Sequence, residues 1–225
     1  MPEESKAEHR SNILSVWDQS DWTDWSEGML AYGRYRQTLY QIAKKYRKPL
    51  SSIVGAFAAL SPNNDYMNNL RSVVSLLEGS NRTSTYGACR DRAQRCLRGE
   101  YFLDFTDGMK TRSFFQNIMD PSDPHPVTID GHAYCIYVNY RMTMKEAVML
   151  RFKYEPVAED YRQVAKNLNV LPNQLQAVTW FTWKRIHNSV YQPQMNLLRP
   201  GNQWRNDIHP DEVKGFGREQ IELFS

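Results

Sequence analysis

The sequence predicts an all-α protein of about eight to ten helices. Three observations predict it. Apolar residues recur at helical spacing along almost the whole chain. Proline and glycine stand where those runs stop or start. No internal repeat or low-complexity tract interrupts them.

The elements follow in order. The first 28 residues form an acidic arm. From Met29 to Lys48, Leu30, Tyr32, Tyr35, Leu39, Ile42, Ala43 and Tyr46 recur at helical spacing, and Pro49 closes the run. Residues Ser51 to Leu60 are apolar all round, which suits a helix at the centre of a bundle. Ser61-Pro62-Asn63-Asn64 breaks that helix. Asp65 to Glu78 reads as amphipathic, with Met67, Leu70, Val73, Val74 and Leu77 inward and Gly79 as its stop. A polar loop then leads to a basic helix, Ala88 to Arg98, and a further helix, Met109 to Ile118. Ile129 to Asn139 has strand propensity in its VTI and YCIYVNY stretches, and is read as helix from Gly131 onward. Thr143–Lys153, Pro156–Leu168 and Pro172–His187 are three more helices, two with proline near the first turn. Trp180, Trp183 and Gln176 are read as core of the last of them. Residues 191–225 are loop-rich and aromatic, a second arm packed on a helical body that spans 29–190.

Length and charge bound the function. A chain of 225 residues can bury a core without staples, as one large domain or two lobes. Cys89, Cys96 and Cys135 are odd in number and make no disulfide framework. With His125 they give no metal-ligand spacing, and neither metal nor cofactor is expected. No apolar run approaches the roughly 20 residues that span a bilayer, and the polar N-terminus does not read as a signal peptide. A cytoplasmic protein with no membrane partner is expected. Net charge is +3, unevenly placed: residues 1–27 carry −5 and the remainder +8. Six basic residues and no acid lie between Arg34 and Lys48, and seven basic residues with four acids between Arg82 and Arg112. A basic body suits a polyanionic partner, although solvated helix faces give the same pattern.

One constellation stands apart. Gly108 lies two residues before Lys110 at the opening of a helix, and Asp130 lies twenty residues beyond that lysine, after Val127-Thr128-Ile129. This resembles the helix-hairpin-helix DNA glycosylase superfamily, the endonuclease III-like proteins. There, a hairpin ends in G-x-K-T and a later V-D-x-H brings an aspartate beside the lysine. Gly108, Lys110 and Thr111 match the first motif, and Asp130 and His132 the second. Upstream, Ala59-Leu60-Ser61-Pro62-Asn63-Asn64 resembles the family's L-S-A-Q corner, with Asn63 at the glutamine position. Between them, Arg90 to Leu97 occupies the place of a K-A-x-x-I helix. The resemblance covers Leu50 to Asn139. Thr106 replaces the first hairpin glycine, the segment between corner and hairpin is short, and the cysteine tail that binds a cluster is absent. The stretch from Pro172 to Trp180 resembles instead a divergent branch of phage and prophage relatives of these glycosylases, and the resemblance to some phage relatives implies modification of thymine-derived bases rather than their removal.

The resemblance implies a two-lobed, glycosylase-like fold and a monomer acting on double-stranded DNA with a flipped base, in a bacterial or phage-infected cell at the nucleoid. It implies Asp130 and Lys110 as catalytic residues. DNA contacts are expected from Asn63, Asn64, Gly108, Thr111, Arg112, His132, Arg92 and Arg95. The chemistry agrees with those assignments. A helix N-terminus with a glycine admits a phosphate to bare backbone N–H groups. A carboxylate beside a flipped sugar stabilises oxocarbenium character at C1′ or activates water. A desolvated lysine can attack C1′ as an amine. Each residue also has a plainer reading: Lys110 as a solvated first-turn lysine, Asp130 as an N-cap, and Asn63 and Asn64 as turn residues after Pro62. Three functions follow: a DNA N-glycosylase with or without lyase activity, a phage-type base hypermodification transferase on the same fold, and a non-catalytic DNA-binding protein.

Overall fold

The computed structural model describes residues 3–62, 64–143 and 153–187. Among these there are nine α-helices, one 3-10 turn and no strand. The helices are α1 (Glu3–Trp17), α2 (Trp22–Tyr46), α3 (Leu50–Leu60), α4 (Tyr66–Leu77), α5 (Gly87–Leu97), α6 (Met109–Met119), α7 (Gly131–Val138), α8 (Tyr154–Leu168) and α9 (Pro172–Ile186). The 3-10 turn, Phe102–Asp104, lies between α5 and α6. The expected helix over 143–153 and the C-terminal arm over 191–225 fall almost wholly outside the described residues.

Two departures from the sequence reading lie at the N-terminus. The acidic arm contains α1, which no sustained apolar stripe announces. α1 is nevertheless anchored: Ile13 and Val16 are fully buried, His9 stacks on Tyr137, and Arg10 pairs with Asp160 at 2.6 Å. α2 begins at Trp22, before Met29, because Asp21 and Asp24 form a reciprocal capping box. Two of the arm's acids are buried and paired, Asp24 with Arg185 at 2.7 Å and Glu27 with Arg34 at 2.9 Å.

The apolar side chains form two cores. The first gathers Leu39 and Ile42 from α2, most of α3, Val73 from α4, Ala93 and Cys96 from α5, and Phe115 and Ile118 from α6. α3 is buried on all sides from Ser52 to Leu60, as its apolar sequence requires. The second core gathers Ile13 and Val16 from α1, Val127, Ile129, the buried face of α7, and Val157, Tyr161 and Val164 from α8. The segment 127–129 forms neither helix nor strand, and α7 starts at Gly131, as expected.

α9 belongs to both cores. Ala177 and Phe181 pack into the first, Leu175 and Trp183 into the second. Its closest partner is α2, where Gly28 lies directly on the Val178 backbone: a Cβ there would stand 2.4 Å from the Val178 nitrogen. Arg185, at the end of α9, closes this pair by binding Asp21 and Asp24 at the start of α2.

Candidate active site at the junction of the two cores

The segment before α6 is fixed from within. Phe102 is buried against Phe115, and Thr106 is buried as well. Arg112 Nη1 donates to the carbonyls of Leu103 and Thr106, each at 2.7 Å. This holds the loop over the first turn of the helix that follows. Gly108 is the N-cap of α6 and has an ordinary φ of −65°, so glycine supplies space here and not an unusual conformation. No side chain caps this end. The first-turn N–H groups of α6 therefore have no acceptor within the helix. The Thr111 hydroxyl donates to the Gly108 carbonyl at 2.9 Å, which turns it back onto the helix end. Lys110 is half-buried on the same turn.

The path from α6 to Asp130 is pinned at successive points. Arg36 Nε donates to the Met119 carbonyl, and Asn173 Nδ2 to that of Pro121. The Tyr154 hydroxyl donates to the Val127 carbonyl at 2.6 Å and accepts from the Ile129 N–H at 3.0 Å. Buried Asn117 donates to the Thr128 hydroxyl at 3.0 Å. With Val127 and Ile129 buried on either side, this segment has one register, and Asp130 emerges at its end.

Asp130 is the N-cap of α7. Its Oδ1 accepts the Ala133 N–H at 2.9 Å, and its side of the helix is half-exposed. The expected N-cap role is thus met with one carboxylate oxygen. Its charge is felt by groups from four directions. It opposes the lowering of His132 and of Lys184, and it adds to the raising of the Tyr32, Tyr154 and Tyr161 hydroxyls. In each case burial is the first cause. Burial pushes Tyr154 up to about 12, and it lowers His132 from its ordinary 6.5, with Lys184 and Lys110 adding to that lowering. His132 therefore lies in the fields of Asp130, Lys110 and Lys184 together. Lys110 of α6 and Asp130 at the start of α7 thus both act on His132.

The remaining expected site residues are dispersed in role. Asn64 Nδ2 donates to the Leu60 carbonyl at 3.2 Å and closes α3. Asn63 lies outside the described residues. Arg92 is exposed on α5. Arg95 is engaged within the protein, paired with Glu100 at 2.6 Å and stacked 3.9 Å over the Phe105 ring. Arg112 braces the loop before α6 and also borders a cavity of about 230 Å³ between α6 and α8.

Sequence reasoning missed three contributors. Lys184 is half-buried, with Nζ 4.1 Å from the Trp180 ring centroid. Asp65 caps α4 by accepting the Asn68 N–H at 2.8 Å, and its charge reaches Lys184. Tyr32 donates to Gln176 Oε1 at 2.9 Å. Gln176 and Trp183 are core residues, as expected, but Trp180 is only half-buried and meets the His132 ring edge-on at 6.0 Å. A signal was present: Gln176, Trp180 and Lys184 recur every fourth residue and so share a face of α9. Among the described residues, no three His, Cys, Asp or Glu side chains converge as metal ligands. No helix there is long and apolar enough to cross a membrane.

Over residues 2–187 the chain matches a family described as a family of unknown function (DUF7178), and it belongs to that family. No curated protein and no solved structure matches it.

Proposed function

We propose that this protein acts on a base of DNA, drawing a modified or damaged nucleotide out of the duplex and cleaving its N-glycosidic bond. One observation carries the reading. Asp130, a carboxylate with a single oxygen committed to capping, acts electrostatically on His132 and Lys184, and Lys110, from the uncapped first turn of α6, acts on the same His132. The order of parts also supports a helix-hairpin-helix, glycosylase-like fold: a helix-to-helix corner, a helix, a tight loop, a second helix, an extended segment and a capping aspartate.

In this reading the N-terminus of α6 holds a backbone phosphate. Its free N–H groups and the positive end of the helix favour an anion, and Gly108 leaves room for it. Such a contact is independent of sequence. The target base leaves the stack, at a cost that is smallest for an altered or mispaired base. Asn64, at the end of α3, takes up the vacated space or binds the orphaned partner, a role the sequence also gives Asn63. Asp130 then lies against the extruded sugar. Its charge stabilises positive character developing at C1′ as the bond to the base lengthens, and it can take the proton of an attacking water. The half-buried setting strengthens that stabilisation relative to open water.

A second reading, a phage-type base hypermodification transferase on the same fold, is favoured by one observation. Trp180 and Lys184 come from α9, outside the glycosylase pattern, and join the same neighbourhood. Mass spectrometry of free bases and nucleosides, after incubation with DNA carrying modified bases, separates the two. A released base supports excision. A heavier nucleoside, formed only with an added donor, supports transfer. DNA that is bound but unchanged in both conditions refutes both and leaves a non-catalytic DNA-binding protein.

A further inference from the structure

Phe115 and Ile118 of α6 fill the first core, while Met109, Arg112, Ser113 and Gln116 form a stripe on another face of the same helix. That stripe looks across to α8 of the second core. Between the two helices, and bordered by the loop from Asp123 to Val127, lies the cavity of about 230 Å³. It is larger than the roughly 150 Å³ space that takes up one benzene molecule. The charges around it cancel in pairs, with one exception. Arg162 binds Glu155, and Glu159 at 3.2 Å. His125 Nδ1 lies 3.0 Å from Asp123 Oδ1. Arg112 has no carboxylate partner among the described residues. Its Nη1 is spent on the carbonyls of Leu103 and Thr106, and its Nε and Nη2 have no acceptor there. The side-chain amide of Gln116, one turn on, and Nε2 of the largely exposed His125 are uncommitted as well. A half-buried cation with idle donors beside a cavity is satisfied by an anion.

We propose that this cavity binds a small phosphate monoester, no larger than a nucleoside monophosphate. A guanidinium fork holds phosphate or carboxylate through paired N–H groups. The supply of donors favours phosphate, whose three terminal oxygens all accept hydrogen bonds. Arg112 offers Nε and Nη2, and Gln116 offers its amide from the same helix. His125, as imidazolium, donates from Nε2 while Asp123 accepts from Nδ1. The carboxylates of Asp123 and Glu155 border the cavity, but each is already held by a cation. Met109, Pro126 and Val127 give the rest of the ligand an apolar wall. Because α6 and α8 belong to different cores, the site exists only when the two cores are docked. Tyr154 also borders it, and its hydroxyl bonds the Val127 carbonyl and the Ile129 N–H. A bound ligand therefore braces the segment that leads to Asp130. The site stands independently of the base chemistry.

The full chain is titrated calorimetrically with inorganic phosphate, nucleoside 5′-monophosphates and hexose phosphates, with the unphosphorylated nucleosides and hexoses as controls. At least one monoester should bind saturably and its parent should not. Hydrogen exchange with that monoester present should slow in residues 109–116, 123–129 and 154–162. Gln116→Leu and His125→Gln leave the loop contacts of Arg112 in place, so Tm without ligand should hold while binding weakens roughly tenfold in each. Arg112→Lys keeps the charge but loses the fork, and should lose binding; if that variant fails to fold, the other two decide. No monoester binding at millimolar concentration, equal binding of the parents, slowed exchange elsewhere, or wild-type affinity in both the Gln116 and His125 variants overturns the site. A short DNA duplex is the last arm. Should it displace the monoester and slow exchange in the same segments, the phosphate held here is that of the DNA backbone, and the small-molecule site is refuted.

Discussion

Alanine placed at two glycines of the same helix, α2, should move stability in opposite directions. At Gly28 the added Cβ would lie 2.4 Å from the Val178 nitrogen and 2.5 Å from its Cα. These are backbone atoms of a buried helix, so no side chain can swing away, and α2 and α9 must part by about 1 Å to restore van der Waals contact. Overpacking of this kind costs roughly 1–3 kcal/mol, and backbone overlap belongs at the upper end. The gain in helix propensity from Gly to Ala returns about 1 kcal/mol. The net loss is about 2 kcal/mol, which for a protein of this size lowers Tm by roughly 4–8 °C. At Gly33 a Cβ meets nothing within 4 Å, so only the propensity term remains. Gly33→Ala should therefore stabilise by about 0.5–1 kcal/mol. Urea and thermal unfolding followed by circular dichroism read both. A Gly28→Ala protein as stable as wild type, beside a stabilised Gly33→Ala, would show that α2 and α9 do not meet backbone to backbone.

Three further outcomes are expected. Asp130→Asn should abolish base chemistry with DNA affinity and Tm nearly unchanged, because asparagine caps a helix about as well as aspartate, whereas Asp130→Ala should also lose about 1 kcal/mol of stability. Turnover in the Asn variant, read by base release, would confine Asp130 to capping. DNA affinity should fall with salt at a slope of log K against log[salt] of roughly −4 to −5, for about five neutralised phosphates. Arg92→Ala should flatten that slope, while Arg95→Ala, whose guanidinium is held by Glu100 and Phe105, should change it little; the reverse pattern would refute the placement. His132, lowered in the fold chiefly by burial, contributes stability above its unfolded value of 6.5 and loses it as pH falls through the folded value, so acid unfolding should be less steep in His132→Gln.

The helices were legible where one stripe of the chain faces one core. The periodic run of α2 from Leu30 to Tyr46, the wholly apolar α3, and α4 between Asp65 and Gly79 all place their apolar residues as the spacing predicts. α1 was not legible, because its burial depends on Ile13 and Val16 near one end and on polar contacts with Tyr137 and Asp160 far along the chain. Asp130 and Lys110 were legible as a motif, and both act electrostatically on His132, two residues past the aspartate. Lys184 and Asp65 were not, since neither belongs to a motif and each is ordinary in its own helix.

What joins them is α9, and its burial follows from a physical demand of the fold. A helix shared by two cores must be apolar on two faces, which is why Leu175, Ala177, Phe181 and Trp183 read as undifferentiated core in the sequence. The side chains between those faces emerge only where the cores meet. Trp180 and Lys184 occupy that strip, so their place at the junction follows from the sharing of α9 itself. The same sharing ties site geometry to packing: a shift of α9 against Gly28 would move Trp180 and Lys184 relative to Asp130. The Gly28→Ala protein should accordingly lose chemistry out of proportion to its remaining folded fraction, and base release per folded molecule equal to wild type would separate the site from the α2–α9 contact.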